Sequence, residues 1–235
     1  MNNFQFFINI NLKNMMIDFI IISNDEINPI FHKSINLENL DNNNLSFNNL
    51  DEIMKALILD VEKNLKKITF QKVNLMIEDP SLNSIDLTLK ENMENKIINK
   101  NKIEYLLKDA RYQLIKNHPE KYIAHIIIKK CYIDDEEYNY VPFEINCKNF
   151  IIDLSFIYLK KKLILQFEKL LKNQQLEVNK IICTNYAKSL LNDDIDNVSK
   201  AGLAALKDIN LNEVSVILKK KAKMGFFEKI FHIFS

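Results

Sequence analysis

The residues of this chain whose types could do chemistry are few and scattered. His32, His118, His125 and His232 stand far from one another, so neither a metal site nor an acid–base pair is written in their spacing. His125 sits in the apolar run 122–132 and reads as a hydrogen-bonded core residue. Cys131, Cys147 and Cys183 are odd in number and lack metal-ligand spacing; they read as buried apolar residues of a protein kept in a reducing compartment. Asp193, Asp194 and Asp196 lack the glycine and the distal glutamate of a calcium loop, and together with the acidic run 134–137 they read as solvated turns. No nucleophile elbow is present. Gly202 and Gly225 are the two glycines of the whole chain, a poor supply for loops that cradle phosphate by close backbone approach and positive φ. No catalytic residue, metal or cofactor is therefore expected.

The most distinctive stretch is the last. Wound as a helix, Phe226, Phe227, Ile230, Phe231, Ile233 and Phe234 fall on one arc of roughly 160°. Lys219, Lys220, Lys221 and Lys223 precede them, and Lys229 lies within the stretch. This is the character of an in-plane anchor on an anionic membrane surface. It is too short to span, since a crossing helix needs roughly 20 apolar residues. A large apolar side chain contributes at most about 1.5–3 kcal/mol when fully buried, against about 1–2 kcal/mol for ordering each residue. Lysines near an anionic leaflet add about 1 kcal/mol apiece. One copy would be a marginal, reversible anchor, and self-association would make it firm. The alternative is a tail that packs on the chain's own core.

These stretches need a body to carry them. Hydrophobic residues at 47% and charged residues at 27% describe a globular protein, and 32 basic against 31 acidic side chains leave a net charge of +1, so no global field draws it to nucleic acid. The N-terminus has no basic start or long apolar run before a small-residue cleavage site, so no signal peptide is expected. Segments 4–10, 15–23 and 29–35 read as an antiparallel meander. A helix is expected from Asn49, capped with Glu52 three residues on and burying Leu50, Ile53, Met54, Leu57, Ile58, Val61 and Leu65. Strand 73–78 closes this layered α/β unit. Further strands are expected at 84–90, 122–132, 138–146 and 150–159. A helix is expected to start at Asn101, with Glu104 in the matching cap position, and to end near His118. Helix 161–173, whose opening lysines 160–162 read as a solvated face, strand 178–183, a helical turn at 186–191 and a helix over 198–206 complete the order.

This order resembles the first half of FtsA, the actin-like bacterial cell-division protein. Ile8-Asn9-Ile10-Asn11-Leu12-Lys13 stands where the family has an Asp-Ile-Gly-x-x-Lys phosphate loop. The run from Asn49 to Asp86 looks like the family's first helix and following strand. Segment 98–185 is similar to the subdomain that FtsA has and actin lacks, and Gly225 to Ile230 looks like the family's membrane-targeting helix. The resemblance implies an α/β fold: a partial actin-like, ribonuclease H-like lobe over 1–97, an inserted strand–helix–strand subdomain over 98–185, a residual C-terminal portion over 186–218 and a basic linker with an amphipathic helix over 219–235. It implies a peripheral protein on the cytoplasmic face of the plasma membrane, at midcell, tethering division-ring components. The departures matter too. Asn9, Asn11 and Lys13 form a degenerate loop, the second glycine-rich phosphate loop has no counterpart, and the second lobe with the main FtsZ surface is missing, which puts FtsZ binding in doubt. Expected partners are an anionic membrane, division proteins and a second copy of the chain, with no nucleic acid. The alternatives are an ATP-binding actin-like switch, or a soluble pilus-assembly-type interaction module of the same superfamily.

Overall fold

The computed structural model describes residues 4–24, 28–37, 47–64, 70–80, 83–191, 197–207 and 209–214. The chain divides into two compact units, Met1–Leu82 with Leu159–Ile209, and Asn83–Tyr158 with Asn210–Ser235. The units divide at 82/83, 158/159 and 209/210.

In the first unit, β1 (Phe4–Asn11) and β2 (Met16–Ser23) form a hairpin, and β3 (Phe31–Asn36) adds antiparallel to β2. Helix α1 (Phe47–Asn64) leads to β4 (Lys72–Glu78), which runs parallel to β1. The sheet is completed from far along the sequence by β9 (Glu177–Cys183), parallel to β4, giving the order β3-β2-β1-β4-β9. An antiparallel meander followed by two parallel strands is the ribonuclease H-like arrangement of actin-like lobes, so the α/β expectation holds. Ile8, Ile10, Ile17, Phe19 and Ile21 are buried on one side of β1 and β2. Phe7, Ile20, Ile22, Met76 and Ile182 form a cluster on the other with Ala187 of α4 (Thr184–Ser189) and with Ala201, Leu203 and Ala205 of α5 (Val198–Leu206). Burial on both faces explains why β1 and β2 read as continuous apolar runs rather than alternating ones.

The second unit is a four-stranded sheet in the order β5-β8-β6-β7, built from β5 (Ser84–Ile97), β6 (Lys121–Ile133), β7 (Glu136–Tyr138) and β8 (Asn146–Lys160). Helix α2 (Lys100–Asn117) buries Ile103, Leu106, Leu107, Ala110 and Leu114 in one core with Phe150, Ile152, Leu154 and Phe156. After α5 the chain joins this unit: Ile128 N–H donates to the Asn212 carbonyl at 2.9 Å and Val214 N–H to the Ile126 carbonyl at 2.8 Å. Helix α3 (Lys161–Asn173) has the predicted bounds and buries Ile164, Phe167, Leu170 and Leu171.

Several expectations shift. Helix α1 begins at Phe47, so Asn49 lies inside its first turn and is not the cap; Leu50, Met54, Leu57, Ile58 and Val61 are buried as expected, Ile53 is half-buried, and Leu65 lies outside the described residues. The cap of α2 is Asn99, whose side chain accepts from Lys102 N–H, and Asn101 already sits in the helix, where Glu104 pairs with Lys108. Strand β5 runs on to Ile97, through an irregularity between Asn92 and Lys96 where Glu94 and Asn95 take positive φ of 52° and 61°. The expected strand over 138–146 is not formed. Strand β7 ends at Tyr138 and the chain loops through Pro142, where it cannot donate a ladder hydrogen bond. Helix α4 starts at Thr184, two residues before its expected start.

Candidate functional site at the carboxyl ends of the parallel strands

In open α/β sheets ligands gather at the carboxyl ends of the parallel strands. Here those ends are Asn11 of β1, Glu78 of β4 and Cys183 of β9, with Thr184 opening α4. Alternation along β1 and β2 puts Asn9 and Asp18 on the side that carries Phe7 and Ile20, and the hairpin register sets the two opposite each other.

Asn9 is completely buried. Its amide nitrogen donates to Asp18 Oδ2 at 2.9 Å, and its Oδ1 accepts from the equally buried Thr184 hydroxyl at 2.9 Å. The carboxylate can only accept, which sets the orientation of the amide. Asp18 Oδ1 accepts from Ser34 Oγ at 2.6 Å, with His32 Nε2 at 3.5 Å. Asn11 turns its Oδ1 back on its own loop and accepts from the N–H groups of Lys13 at 3.0 Å and Asn14 at 2.9 Å, while its Nδ2 donates to Glu78 Oε2 at 2.9 Å. Leu12 N–H donates to the Glu78 carbonyl at 2.9 Å. The Glu78 carboxylate also accepts from Lys188 Nζ at 2.8 Å, both side chains being largely buried.

A phosphate loop works by aiming unpartnered N–H groups at an anion from a backbone that can take positive φ. At this hairpin the N–H groups of Leu12, Lys13 and Asn14 all have internal acceptors. The positive φ, 47°, falls on Met15 and not on Asn11, the glycine position of the pattern. Counted from Asn9, the pattern's lysine position falls on Asn14, and Lys13 is exposed. Glu78 adds negative charge beside the loop and takes up the charge of Lys188. A cavity of about 260 Å³ opens next to Asp18, lined also by Ile20, Pro29, His32, Asn197, Val198 and Ser199; it falls below the roughly 300–1,000 Å³ typical of ligand pockets. The arrangement is two hydrogen-bonded groups, one around Asn9 and one around Asn11. Asp18 of β2, Glu78 at the end of β4, and Thr184 and Lys188 of α4 complete these groups, and nothing in the sequence marks those four residues, since the sheet brings them in from three separate elements.

Elsewhere, His125 Nδ1 lies 2.7 Å from Glu213 Oε1, both buried, as the core reading of this histidine requires. Burial pushes the Cys131 thiol up to about 12, and the Cys147 and Cys183 thiols are also raised, mainly by burial; none of the three forms a disulfide among the described residues. Asp134 accepts from the N–H groups of Lys148 and Asn149, a structural use. Lys160 Nζ is 4.0 Å from Asp79. Among the described residues no group of three or more His, Cys, Asp and Glu could hold a metal ion, and no helix is long and apolar enough to cross a membrane. The aspartates Asp193, Asp194 and Asp196, and the entire tail with Phe226, Phe227, Ile230, Phe231, His232, Ile233, Phe234 and Lys219, Lys220, Lys221, Lys223 and Lys229, lie outside the described residues.

Strand order and register define an α/β sheet with the ribonuclease H-like arrangement found in actin-like folds, and its β1–β2 turn is filled by its own side chains. No family model and no curated protein matches the sequence. Among solved structures the chain is similar to the PilM–PilN type IV pilus biogenesis complex, at 9% identity and a TM-score of 0.48 over 80% of this chain and 49% of that one. It is also similar to the cytoplasmic domain of EpsL, an inner membrane component of the type II secretion system of Vibrio cholerae, at 11% identity and a TM-score of 0.36 over 78% of this chain and 57% of that one. The chain thus spans 49% and 57% of the length of these two structures.

Proposed function

We propose that this chain is a nucleotide-independent protein-interaction module, an actin-like scaffold component of a membrane-associated assembly of the pilus-biogenesis or secretion kind, and not an enzyme. The observation that carries this reading is the occupied loop: Asn11 Oδ1 accepts from the Lys13 and Asn14 N–H groups, and Glu78 holds Leu12 N–H and the Asn11 amide. Opening it for a phosphate would forfeit these bonds and bring an anion against the Glu78 carboxylate. What remains for such a lobe is its surface, and protein partners are its natural ligands.

The pilus-assembly form of this reading asks only for a lobe, its second unit and their surfaces. The division-tether form, resembling FtsA, asks in addition for an FtsZ surface on a second lobe. It is favoured by one specific observation, the amphipathic sequence at 226–234 behind Lys219–Lys223. Equilibrium binding of labelled ATP with magnesium tests the common core: no saturable binding is expected up to millimolar nucleotide, and micromolar saturation overturns it. Sedimentation with anionic vesicles, comparing the full chain with one lacking residues 224–235, tests the tether. A fluorescent fusion that forms a midcell band favours the division form, and one spread around the envelope or at the poles favours the other.

A further inference from the structure

Strand β5 stands at the end of the second sheet, paired on one side with β8 and, among the described residues, unpaired on the other. A regular ladder joins Ser84–Asn92 to Ile157–Asn149, and the irregularity after Asn92, with Glu94 and Asn95 at positive φ, ends the straight edge there. The ladder's phase is readable. Tyr158 N–H donates to the Asn83 carbonyl at 3.0 Å, and the register continues from that pair. In an antiparallel ladder, hydrogen-bonded and non-hydrogen-bonded pairs alternate. Ile85, Leu87 and Leu89 therefore bond to β8, and the main-chain groups of Ser84, Asp86, Thr88, Lys90 and Asn92 point to the open edge. A long open edge is a template for another strand.

The side chains of this edge complement themselves. Thr88 is the middle residue of the run Ser84–Asn92. A second copy laid antiparallel about a two-fold axis at Thr88 sets Asp86 opposite Lys90 of the other copy, Lys90 opposite its Asp86, Thr88 opposite Thr88, and Leu87 opposite Leu89. The first three pairings fall on residues whose N–H and C=O groups are open, giving about six new main-chain hydrogen bonds in the correct phase. Opposite charges are favourable directly across an antiparallel pair, and each Thr88 hydroxyl keeps its own bond to Asp153 Oδ1 at 2.6 Å. Leu87 and Leu89, partly buried against the core, extend the apolar face of one sheet into the next. Asp86 is 60% exposed and Lys90 is exposed; the Asp86 carboxylate already accepts from Ser155 Oγ at 2.7 Å and from Lys129 Nζ at 2.8 Å, and Lys90 of the other copy would be its third partner.

We propose that this edge is a homotypic docking surface: two chains associate through β5, in register about Thr88, into one continuous eight-stranded sheet. The occupant is a second copy, because the charges match in that register. The inference is independent of the function proposed above, and nucleotide or vesicle binding does not bear on it.

Sedimentation equilibrium of the full chain, from micromolar to near-millimolar concentration, should show a concentration-dependent monomer–dimer equilibrium of modest strength, as suits a one-strand interface. Lys90→Asp and Asp86→Lys each put like charges opposite each other twice, and each should weaken self-association by about tenfold or more. An equimolar mixture of the two variants restores both attractive pairings and should recover association as a heterodimer. Asp86 also bonds to Ser155 and Lys129. If its variant does not fold, a nitroxide at Thr88→Cys, with the native thiols buried, reads the register directly. Dipolar spectroscopy should then give one interchain distance within about 20 Å, since directly opposite Cβ atoms lie about 4.5–5.5 Å apart. A chain that stays monomeric, single variants that dimerise like the unmodified protein, a mixture that fails to recover, or a long or broad distance overturns the proposal, the first of these leaving the edge to a strand from another protein.

Discussion

Asn9→Asp restores the acid of the phosphate-loop pattern at the cost of a few atoms, and the structure says it should harm the protein rather than revive nucleotide binding. The Asn9 amide nitrogen is 2.9 Å from Asp18 Oδ2 in a position with no solvent exposure. Replacing it by a carboxylate oxygen sets two acids face to face. If both stay charged and relax to about 4 Å, the repulsion at an effective dielectric of 20 is about 4 kcal/mol. If one instead takes a proton, holding it at pH 7 against an ordinary carboxyl value near 3.9 also costs about 4 kcal/mol. Both routes agree, so the variant should lose about 4 kcal/mol at neutral pH. The sign follows from linkage: the shared proton raises a folded-state pKa above its unfolded value, so the deficit is small near pH 4 and grows as pH rises toward 7. Urea melts followed by circular dichroism at pH 4, 5.5 and 7 read this directly. A deficit that is the same at all three, or a variant as stable as the unmodified protein at pH 7, refutes the buried pairing; acquisition of ATP binding refutes the occupied-loop account.

Asn99→Ala removes the acceptor for Lys102 N–H and should cost about 1 kcal/mol, read as a lowered urea midpoint, whereas Asn101→Ala should be nearly neutral. Gly202→Ala would set a Cβ 2.7 Å from Phe7 Cε1 and 3.0 Å from Met76 Sδ, so overpacking of α5 on the sheet should cost about 1–3 kcal/mol, and Phe7→Leu should recover part of it. Glu213→Ala takes a hydrogen-bond partner from buried His125 and should cost about 1–3 kcal/mol, with hydrogen exchange rising at Ile128 and Val214 as their pairing loosens. The three thiols have raised folded-state values, so their contribution is complete below the ordinary thiol range near 8.5 and is lost as pH climbs from there toward the Cys131 value of about 12; Cys131→Ala should flatten the fall in urea midpoint between pH 9 and 11.

What could be read ahead of the structure was what depends on neighbours along the chain. The apolar runs of β1 and β2, the 3.6-residue rhythm of α1 and α2 and the full extent of α3 follow from local pattern. The misread places have local causes as well. Two asparagines near the start of α2 compete for the cap, and the geometry at Asn99 decides between them. The run 138–146 has strand-forming residues, but Pro142 and the positive φ of Glu144 take it out of the ladder. The positive φ values at Glu94 and Asn95 fall on non-glycine residues, and no glycine marks that irregularity in the sequence.

The degenerate loop divides the two kinds of knowledge most clearly. Residue type alone rules out Asn9 and Asn11 as the acid and the glycine of a phosphate loop, because side-chain chemistry and the φ preference of a residue type belong to the residue. It also determined the buried thiols and the apolar character of His125's strand. What those asparagines do instead depends on residues distant along the chain. Thr184 lies 175 positions from Asn9 and Glu78 lies 67 from Asn11, and each hydrogen bond exists because β9 and β4 bring those residues to the same sheet end. The same holds for β5: its charges are legible in sequence, but which of its amides are open follows from its pairing with β8, and an open edge is a property of the sheet and not of the strand.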